Sequence, residues 1–346
     1  MATKTLTQQA INAIVEGSDL ERDMSRQVMT EIMDGVATPA QIGSLLTALR
    51  MKGETIDEIT GFAEAMRLKA PRVQTVRDDL LDTCGTGGDG AGTFNISTAS
   101  AIVAAAGGIR VAKHGNRAMS SRSGSADVLE ALGVNVGLGP EQAAHCLEKL
   151  GLCFMFAQVY HQSMKHAAGP RRELGIRTAF NLLGPLTNPA GADRQLMGVF
   201  DQKKTELVAH VMRELGVRRA MVVASDDGMD EISISAPTVV TELKEGAIRT
   251  YKLTPDDLGL RQYPVEEIAG GDAEDNAEII RAVLQGERNA CREVVLANAG
   301  ACFFVTGAAG TLQQGVKLAA EAIDSGNAMR KLEDLIQLTG EMAHVS

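Results

Sequence analysis

The stretch LDTCGTGGDGAGTFNIST, residues 81–98, decides the fold. Five of the eight positions from Gly85 to Gly92 are glycine. An apolar run precedes them, and a segment rich in hydroxyl groups and alanine follows. Leu80–Thr83 reads as a short strand, and Ser97–Ala106 as a helix stopped by Gly107 and Gly108. Strand, glycine loop, helix is an order that turns backbone N–H groups and the positive end of a helix toward an anion. Phosphate is the expected anion.

Two familiar phosphate loops fail here. Gly85, Gly87 and Gly90 satisfy GxGxxG, but a dinucleotide fold also wants an acidic residue at the end of the next strand. That strand, Ile109–Ala112, runs into Lys113 and His114, and Asp127 comes only after a further loop. A nucleotide P-loop needs a lysine directly after its glycines, and none follows. A less common cradle remains, in which Asp89, Thr93, Asn95, Ser97 and Thr98 supply donors and acceptors beside a helix start. Asn95 and Ser97 are also ordinary helix caps.

The next strand leads into KHGNRAMSSRSGSAD, Lys113–Asp127. In a parallel sheet this loop leaves the same edge as the glycine loop, the edge at which open α/β sheets bind ligands. It interleaves Lys113, His114, Arg117 and Arg122 with Ser120, Ser121, Ser123 and Ser125, a pattern for more than one phosphate group. After a later buried strand, Ala220–Ala224, comes DDGMDE, with Asp226, Asp227, Asp230 and Glu231. Four carboxylates in six residues would repel a phosphate unless a divalent cation intervened, and Mg²⁺ takes one or two carboxylates plus phosphate oxygens. For Asp226 and Asp227 a solvated acidic turn is the competing reading.

Working outward, the first 70 residues read as four helices with capping-box spacing at Thr5/Gln8, Ser18/Glu21, Thr38/Gln41 and Thr55/Glu58. Apolar residues recur at helical spacing, as in Ile42, Leu45, Leu46 and Leu49, so a small bundle is expected. From residue 73 strands alternate with helices: Ala126–Leu132 helix, Val134–Val136 strand, Glu141–Leu150 helix, Leu152–Phe156 strand. Val239–Tyr251 reads as a hairpin about Glu245-Gly246, and the tail from Glu274 as helical except for a β-prone stretch at Cys302–Val305. The fold class is α/β: a small all-helical domain plus a larger domain with a mostly parallel central sheet. NLLGPLTNP, Asn181–Pro189, reads as a hinge between them or as an ordinary tight connection.

Composition narrows the function classes. The net charge of −10 and 3% aromatic content argue against a nucleic-acid partner, since a basic face would be expected. No apolar run reaches transmembrane length and the N-terminal stretch lacks a signal-peptide core, so a cytoplasmic protein without membrane contact is expected. Cys84, Cys146, Cys153, Cys291 and Cys302 are dispersed and show no metal-type spacing, which suits reduced thiols.

GTGGD (Gly85–Asp89), NIST (Asn95–Thr98), KHGNR followed by SSRSGSAD, GIRTAFNLLGPLTNPA (Gly175–Ala190) and DEIS (Asp230–Ser233), in this order, resemble the anthranilate phosphoribosyltransferases of tryptophan biosynthesis over about residues 5–340. The resemblance implies a nucleoside phosphorylase/phosphoribosyltransferase type of fold. Its helical domain would be residues 1–72 with a returning segment about 165–190, and its α/β domain 73–164 and 191–346. It implies a homodimer through the helical domain, the substrates phosphoribosyl pyrophosphate (PRPP) and anthranilate, and Mg²⁺ as cofactor. Gly85, Gly88, Asp89, Thr93, Asn95, Ile96, Ser97, Thr98, Lys113, His114, Gly115, Asn116, Arg117, Ala118, Met119, Ser120, Ser121 and Ser125 would bind PRPP. Gly85, Asn116, Arg171, His114 and Tyr160 would face anthranilate, with Arg171 on its carboxylate. Ser97, Asp230 and Glu231 would hold the metal. Lys113 would stabilise departing pyrophosphate, and no nucleophile or strong base is expected, because an aromatic amine is already neutral at pH 7. The chain departs from the family pattern at FMFAQVYHQSMK, where Gln158 and Gln162 stand in place of prolines; looser chain is expected there. A pyrimidine nucleoside phosphorylase and a nucleic-acid-binding relative of the fold are the alternative readings.

Overall fold

Three of the four N-terminal start signals cap helices as their spacing requires. In this computed structural model, which describes residues 4–75, 78–118 and 122–343, α1 (Leu6–Val15), α3 (Pro39–Lys52) and α4 (Ile56–Lys69) begin with full capping boxes at Thr5, Thr38 and Thr55. The exception is α2 (Arg22–Met33), which starts after Glu21 with no side-chain cap. Glu58 does that work from outside: its Oε1 accepts the Leu20 N–H at 3.0 Å while Oε2 accepts the Thr55 N–H at 2.9 Å. A buried carboxylate therefore closes the starts of two helices, and α2 packs on α4.

The sheet follows. β1 (Leu81–Gly85), α5 (Ile96–Ala106), β2 (Val111–Gly115), α6 (Ser125–Ala131), α7 (Pro140–Leu150) and β3 (Leu152–Phe156) alternate along the chain. Next come α8 (Ala157–Tyr160), α9 (Lys165–Leu174), α10 (Ala179–Leu183), β4 (Arg194–Gly198), α11 (Thr205–Glu214) and β5 (Arg219–Ser225). The hairpin β6 (Thr238–Lys244) and β7 (Ala247–Leu253) precedes α12 (Pro255–Leu258), α13 (Ala273–Leu284), α14 (Ala290–Thr306), α15 (Leu312–Asp324) and α16 (Asn327–Ala343). The strand order is β3-β2-β1-β4-β5-β6-β7, with β1 to β5 parallel and β6 and β7 antiparallel. The protein is thus a small helical N-terminal unit plus a larger α/β unit built on a mostly parallel sheet. β5 shows how both faces are covered: Met221 and Val223 enter one core with α5 and α14, and Ala220, Val222 and Ala224 enter another with α2, α4 and α11. The chain returns to the bundle after β3, where α9 packs on α2 and α3, and α10 on α3 and α4.

Three readings of local structure are corrected. Val134–Val136 is not a strand; it is irregular chain whose valines are buried while Asn135 bonds Thr339 of α16. Cys302–Val305 lies inside α14, which is buried nearly all round, so its apolar residues show no helical stripe in the sequence. Lys113 and His114 belong to β2 itself, not to the loop after it.

The connector Asn181–Pro189 is pinned on both sides. Arg67 of α4 donates to the Leu186 carbonyl at 2.7 Å, Gln195 of β4 to the Pro185 carbonyl at 2.7 Å, and Asn188 to Asp82 and to the Ala112 carbonyl at 2.8 Å each. Asp82 is fully buried in β1 and also accepts the His114 N–H at 3.1 Å. Burial lifts its carboxyl from 3.8 to about 6, against the opposing pull of Lys113 and these N–H donors. An acid whose folded value exceeds its unfolded one binds more protons when folded, so stability falls as pH rises from about 4 to about 6, by at most about 3 kcal/mol. Asp82→Asn removes this slope. Melting temperatures across the window should shift in the variant's favour as pH rises; a difference that stays flat with pH would show that Asp82 does not titrate there.

Candidate active site

β1, β2, β4 and β5 end at one edge of the sheet, and the sequence-predicted loops leave from it. Gly87, Gly88, Gly90 and Gly92 have φ of 65°, 69°, 80° and 66°, so the glycines give this loop a path that other residues rarely take. The Gly87 N–H donates to Asp230 Oδ2 at 2.7 Å, and the Asp230 N–H faces Asp89 Oδ2 at 3.4 Å. The glycine loop and the acidic turn after β5 therefore hold each other. The Ser97 N–H, in the first turn of α5, points at the Glu231 carboxylate.

Lys113 is 3% exposed. Its Nζ donates to the Thr83 carbonyl, and to Ser97 Oγ at 3.3 Å. Its charge acts on Asp82 behind it and on Glu231 in front. Burial raises the Asp230 carboxyl, and the nearby Asp89 raises it further; burial also raises Glu231, with Asp230 adding to it. These carboxylates share one edge with a single buried lysine among the described residues, so hard oxygen donors stand ready for a cation. No group of three or more His, Cys, Asp or Glu among the described residues is arranged to hold a metal. That donor set fits Mg²⁺ completed by phosphate oxygens and water better than a closed protein cage.

The remaining predicted residues divide. Asn95 is a clasp: its Oδ1 accepts from Asn276 Nδ2 at 3.0 Å and Ser123 Oγ at 3.3 Å, and its Nδ2 donates to the Ser123 carbonyl at 3.2 Å. It ties the glycine loop to the second loop and makes no side-chain cap on α5. Ile96 is core, and Thr98 turns into a small cavity beside Ala101 and Leu152, its hydroxyl buried without a partner. Asn116 and Arg117 are exposed; Arg117 pairs with Asp127 and Glu130 at 2.8 and 2.6 Å. Ala118 and Gly124 both donate to Asp127 at 2.9 Å, and Ser125 donates to the Asn116 carbonyl at 3.3 Å. Gly85 and Gly115 close β1 and β2, and Thr93 forms an isolated bridge with Ala269. Met119, Ser120 and Ser121 lie outside the described residues.

On the anthranilate side, Arg171 lies on α9 with its guanidinium 5.0 Å from the Phe180 ring centre, and burial lowers its pKa. His114 is buried, its ring 5.1 Å from His161, and burial takes the two imidazoles down to about 3 and about 4. Both are neutral at pH 7, so His114 adds no cation to the edge. Tyr160, expected to face anthranilate, is 1% exposed with its hydroxyl donating to the Leu138 carbonyl at 3.2 Å, so it packs as a core side chain. Gln158 sits inside α8, which stays helical without its proline.

Sequence reasoning missed four contributors. Arg177 donates to the Gly88 carbonyl and stacks 4.5 Å from the Phe200 ring centre. Asn276, Asn188 and Asp82 brace the loops from distant parts of the chain. Only Asp82, polar in an apolar strand, left a readable signal.

A helical bundle joined to such a sheet, with a glycine loop facing an acidic turn, defines a glycosyl-transfer class. The chain matches the models of a glycosyl transferase family, the helical bundle domain over residues 8–70 and the a/b domain over residues 77–329. It is 56% identical to an anthranilate phosphoribosyltransferase of Brevibacillus brevis, over 97% of this chain and 99% of that one. The crystal structure of anthranilate phosphoribosyltransferase from Thermus thermophilus superposes with a TM-score of 0.91 at 44% identity, covering 95% of this chain and 99% of that one. The enzyme from Saccharomyces cerevisiae in complex with PRPP and Mg superposes with a TM-score of 0.90 at 26% identity, covering 98% and 99%. The chain belongs to the anthranilate phosphoribosyltransferases.

Asn276→Leu should release the Asn95 clasp. The amides of residues 92–98 should then exchange with solvent about ten-fold faster, the equivalent of one lost buried hydrogen bond. Unchanged exchange would mean that the loop holds its shape without Asn276.

Proposed function

We infer that the protein transfers the phosphoribosyl group of PRPP to the amine of anthranilate, giving N-(5-phosphoribosyl)anthranilate and pyrophosphate. The observation that carries the reading is the buried Lys113 between Asp82 and Glu231, at the edge where the glycine loop meets Asp230. The amine of anthranilate is an adequate nucleophile when neutral. The barrier lies in loss of pyrophosphate from C1 of the ribose, through an electron-poor sugar. Catalysis is then positioning and charge stabilisation, with no covalent enzyme intermediate.

The roles proposed for the residues follow. Backbone groups of Gly85, Gly88, Asp89 and Thr93 wrap the pyrophosphate, Ser97 receives a phosphate group, and Lys113 offsets charge on the leaving group. Asn116, Arg117, Ala118 and the residues to Ser121 cover PRPP, with Ser125 behind them. Arg171 pairs with the anthranilate carboxylate and Asn116 faces its ring. Asp230 and Glu231, with Ser97, hold Mg²⁺. When bound, the cation neutralises charge that develops on departing pyrophosphate. The domains proposed are 1–72 with about 165–190, and 73–164 with 191–346, and closing them over PRPP keeps water from C1.

We also propose a homodimer through the helical domain. α1, α3 and α9 line a groove of about 960 Å³, and at its rim Val15 is 71% and Met51 83% exposed. Apolar side chains this open beside an apolar groove suit a second copy of the same face. No helix among the described residues is long and apolar enough to cross a membrane. The five free, buried cysteines suit the cytoplasm.

Anthranilate fluorescence should fall only when protein, PRPP and Mg²⁺ are all present. Lys113→Met should lower kcat by about 10²–10³-fold, the usual cost of losing one charge-stabilising group, and Arg171→Ala should act mainly on the KM for anthranilate. No fall in signal with folded protein and intact PRPP would redirect the search to nucleoside phosphorolysis. Met51→Glu should halve the mass seen in sedimentation; an unchanged dimer would move the interface elsewhere.

A further inference from the structure

β1 and β4 run parallel and in register, and Gly85 pairs with Gly198 at their last positions. Asp230 lies across this pair. A β-carbon on Gly198 would fall 1.5 Å from the Asp230 carbonyl oxygen, and one on Gly85 would fall 2.2 Å from Asp230 Oδ2. Neither glycine has a positive φ, unlike their neighbours in the loop. Backbone freedom is therefore not what these two positions require. They require the absence of a side chain, so that Asp230 can sit against the strand ends.

A second constraint comes from within the acidic turn. Its four carboxylates have separate tasks. Asp226 faces outward, pairing with Lys252 at 3.0 Å and accepting from Gln202 at 2.8 Å. Asp227 is committed internally: Oδ1 accepts from the Ser225 hydroxyl and Oδ2 from Ser233 Oγ at 2.6 Å. Ser225 ends β5 and Ser233 lies two residues beyond Glu231, so Asp227 joins the two ends of the turn that carries Asp230 and Glu231. The turn is closed again by the Ser225 N–H on the Met229 carbonyl at 3.0 Å.

We propose that Gly198 and Asp227 are positioning residues for Asp230. Gly198 provides the seat and Asp227 the clasp that hold the Asp230 carboxylate against the glycine loop, and together they set the affinity of this edge for the divalent cation that accompanies PRPP. The proposal rests on the phosphoribosyl-transfer reading above. It assigns the sign of each change: a side chain at 198 pushes Asp230 away from Gly87, and loss of an acceptor at 227 frees the turn. Either change acts on metal binding before it acts on anthranilate.

The experiment titrates Mn²⁺, a paramagnetic substitute for Mg²⁺, into the full-length protein held in excess over PRPP, so that little PRPP is left free to chelate the metal, reading free Mn²⁺ by electron paramagnetic resonance. Gly198→Ala and Asp227→Asn should each weaken Mn²⁺ about ten-fold or more, the usual effect of disturbing a residue that orients a metal ligand. The KM for anthranilate should stay within about two-fold, while the Mg²⁺ concentration for half activity rises in parallel. Gly340→Ala, in a position with nothing within 4 Å, is the control and should leave Mn²⁺ binding unchanged. Should Gly198→Ala fail to fold, Asp227→Asn decides alone, since it preserves size. Wild-type Mn²⁺ affinity in a folded variant overturns the proposal. So does an equal loss for metal and anthranilate, which would mark general damage. A wild-type protein without transferase activity would instead defeat the functional reading underneath.

Discussion

Everything at the active edge depends on burying one lysine. Lys113 projects from β2 into the sheet's end, where an unpaired ammonium would be costly. The chain answers with Asp82 on the strand behind it, the Thr83 carbonyl beside it and Glu231 in front. Asp82 is in turn satisfied by Asn188 from the connector and by the His114 N–H. The cation is thus fixed without being neutralised by a direct ion pair among the described residues. It remains able to act on a charge arriving from the open side.

The same arrangement leaves an excess of carboxylate at the front. Asp89, Asp230 and Glu231 face one another across the glycine loop; burial raises the Asp230 carboxyl, and repulsion from Asp89 raises it further. An anionic substrate alone would meet opposition there. A pyrophosphate carrying a divalent cation would not, because under the proposed roles the cation would satisfy the carboxylates while Lys113 would meet the phosphate. Substrate and metal therefore belong together in this account. The helical unit takes part through α9, α10 and the connector: Arg177 reaches the Gly88 carbonyl, and Arg67 holds the Leu186 carbonyl. Movement of that unit would be felt by the glycine loop directly.

The framework was legible because its signals are local. Capping boxes at Thr5, Thr38 and Thr55 place their helices, and the glycine loop after an apolar run places the sheet edge. The hairpin at Glu245-Gly246 also turns where expected. What failed was set by tertiary contacts. Cys302–Val305 looks like a strand because α14 is buried on every side and loses its periodicity. Val134–Val136 has strand composition but lies among helices, with α16 beside it. The start of α2 depends on Glu58, 38 residues away from the Leu20 N–H it accepts. At the site, residue types and order pointed to Lys113, Asp230 and Glu231, which the fold brings to one edge, but not that Asn95 and Tyr160 spend their polar groups on the protein itself. Asn276 and Gly198 carry no motif; only the folded chain brings them to the edge.

Calorimetric titration of PRPP into the protein, with Mg²⁺ and then with the metal chelated, tests the central claim most directly. If Lys113 and the surrounding carboxylates make an edge that accepts pyrophosphate only with its cation, binding should be strong with Mg²⁺ and at least about ten-fold weaker without it. Equal affinity in both conditions would contradict the account, because the protein alone would then supply all the positive charge that PRPP needs.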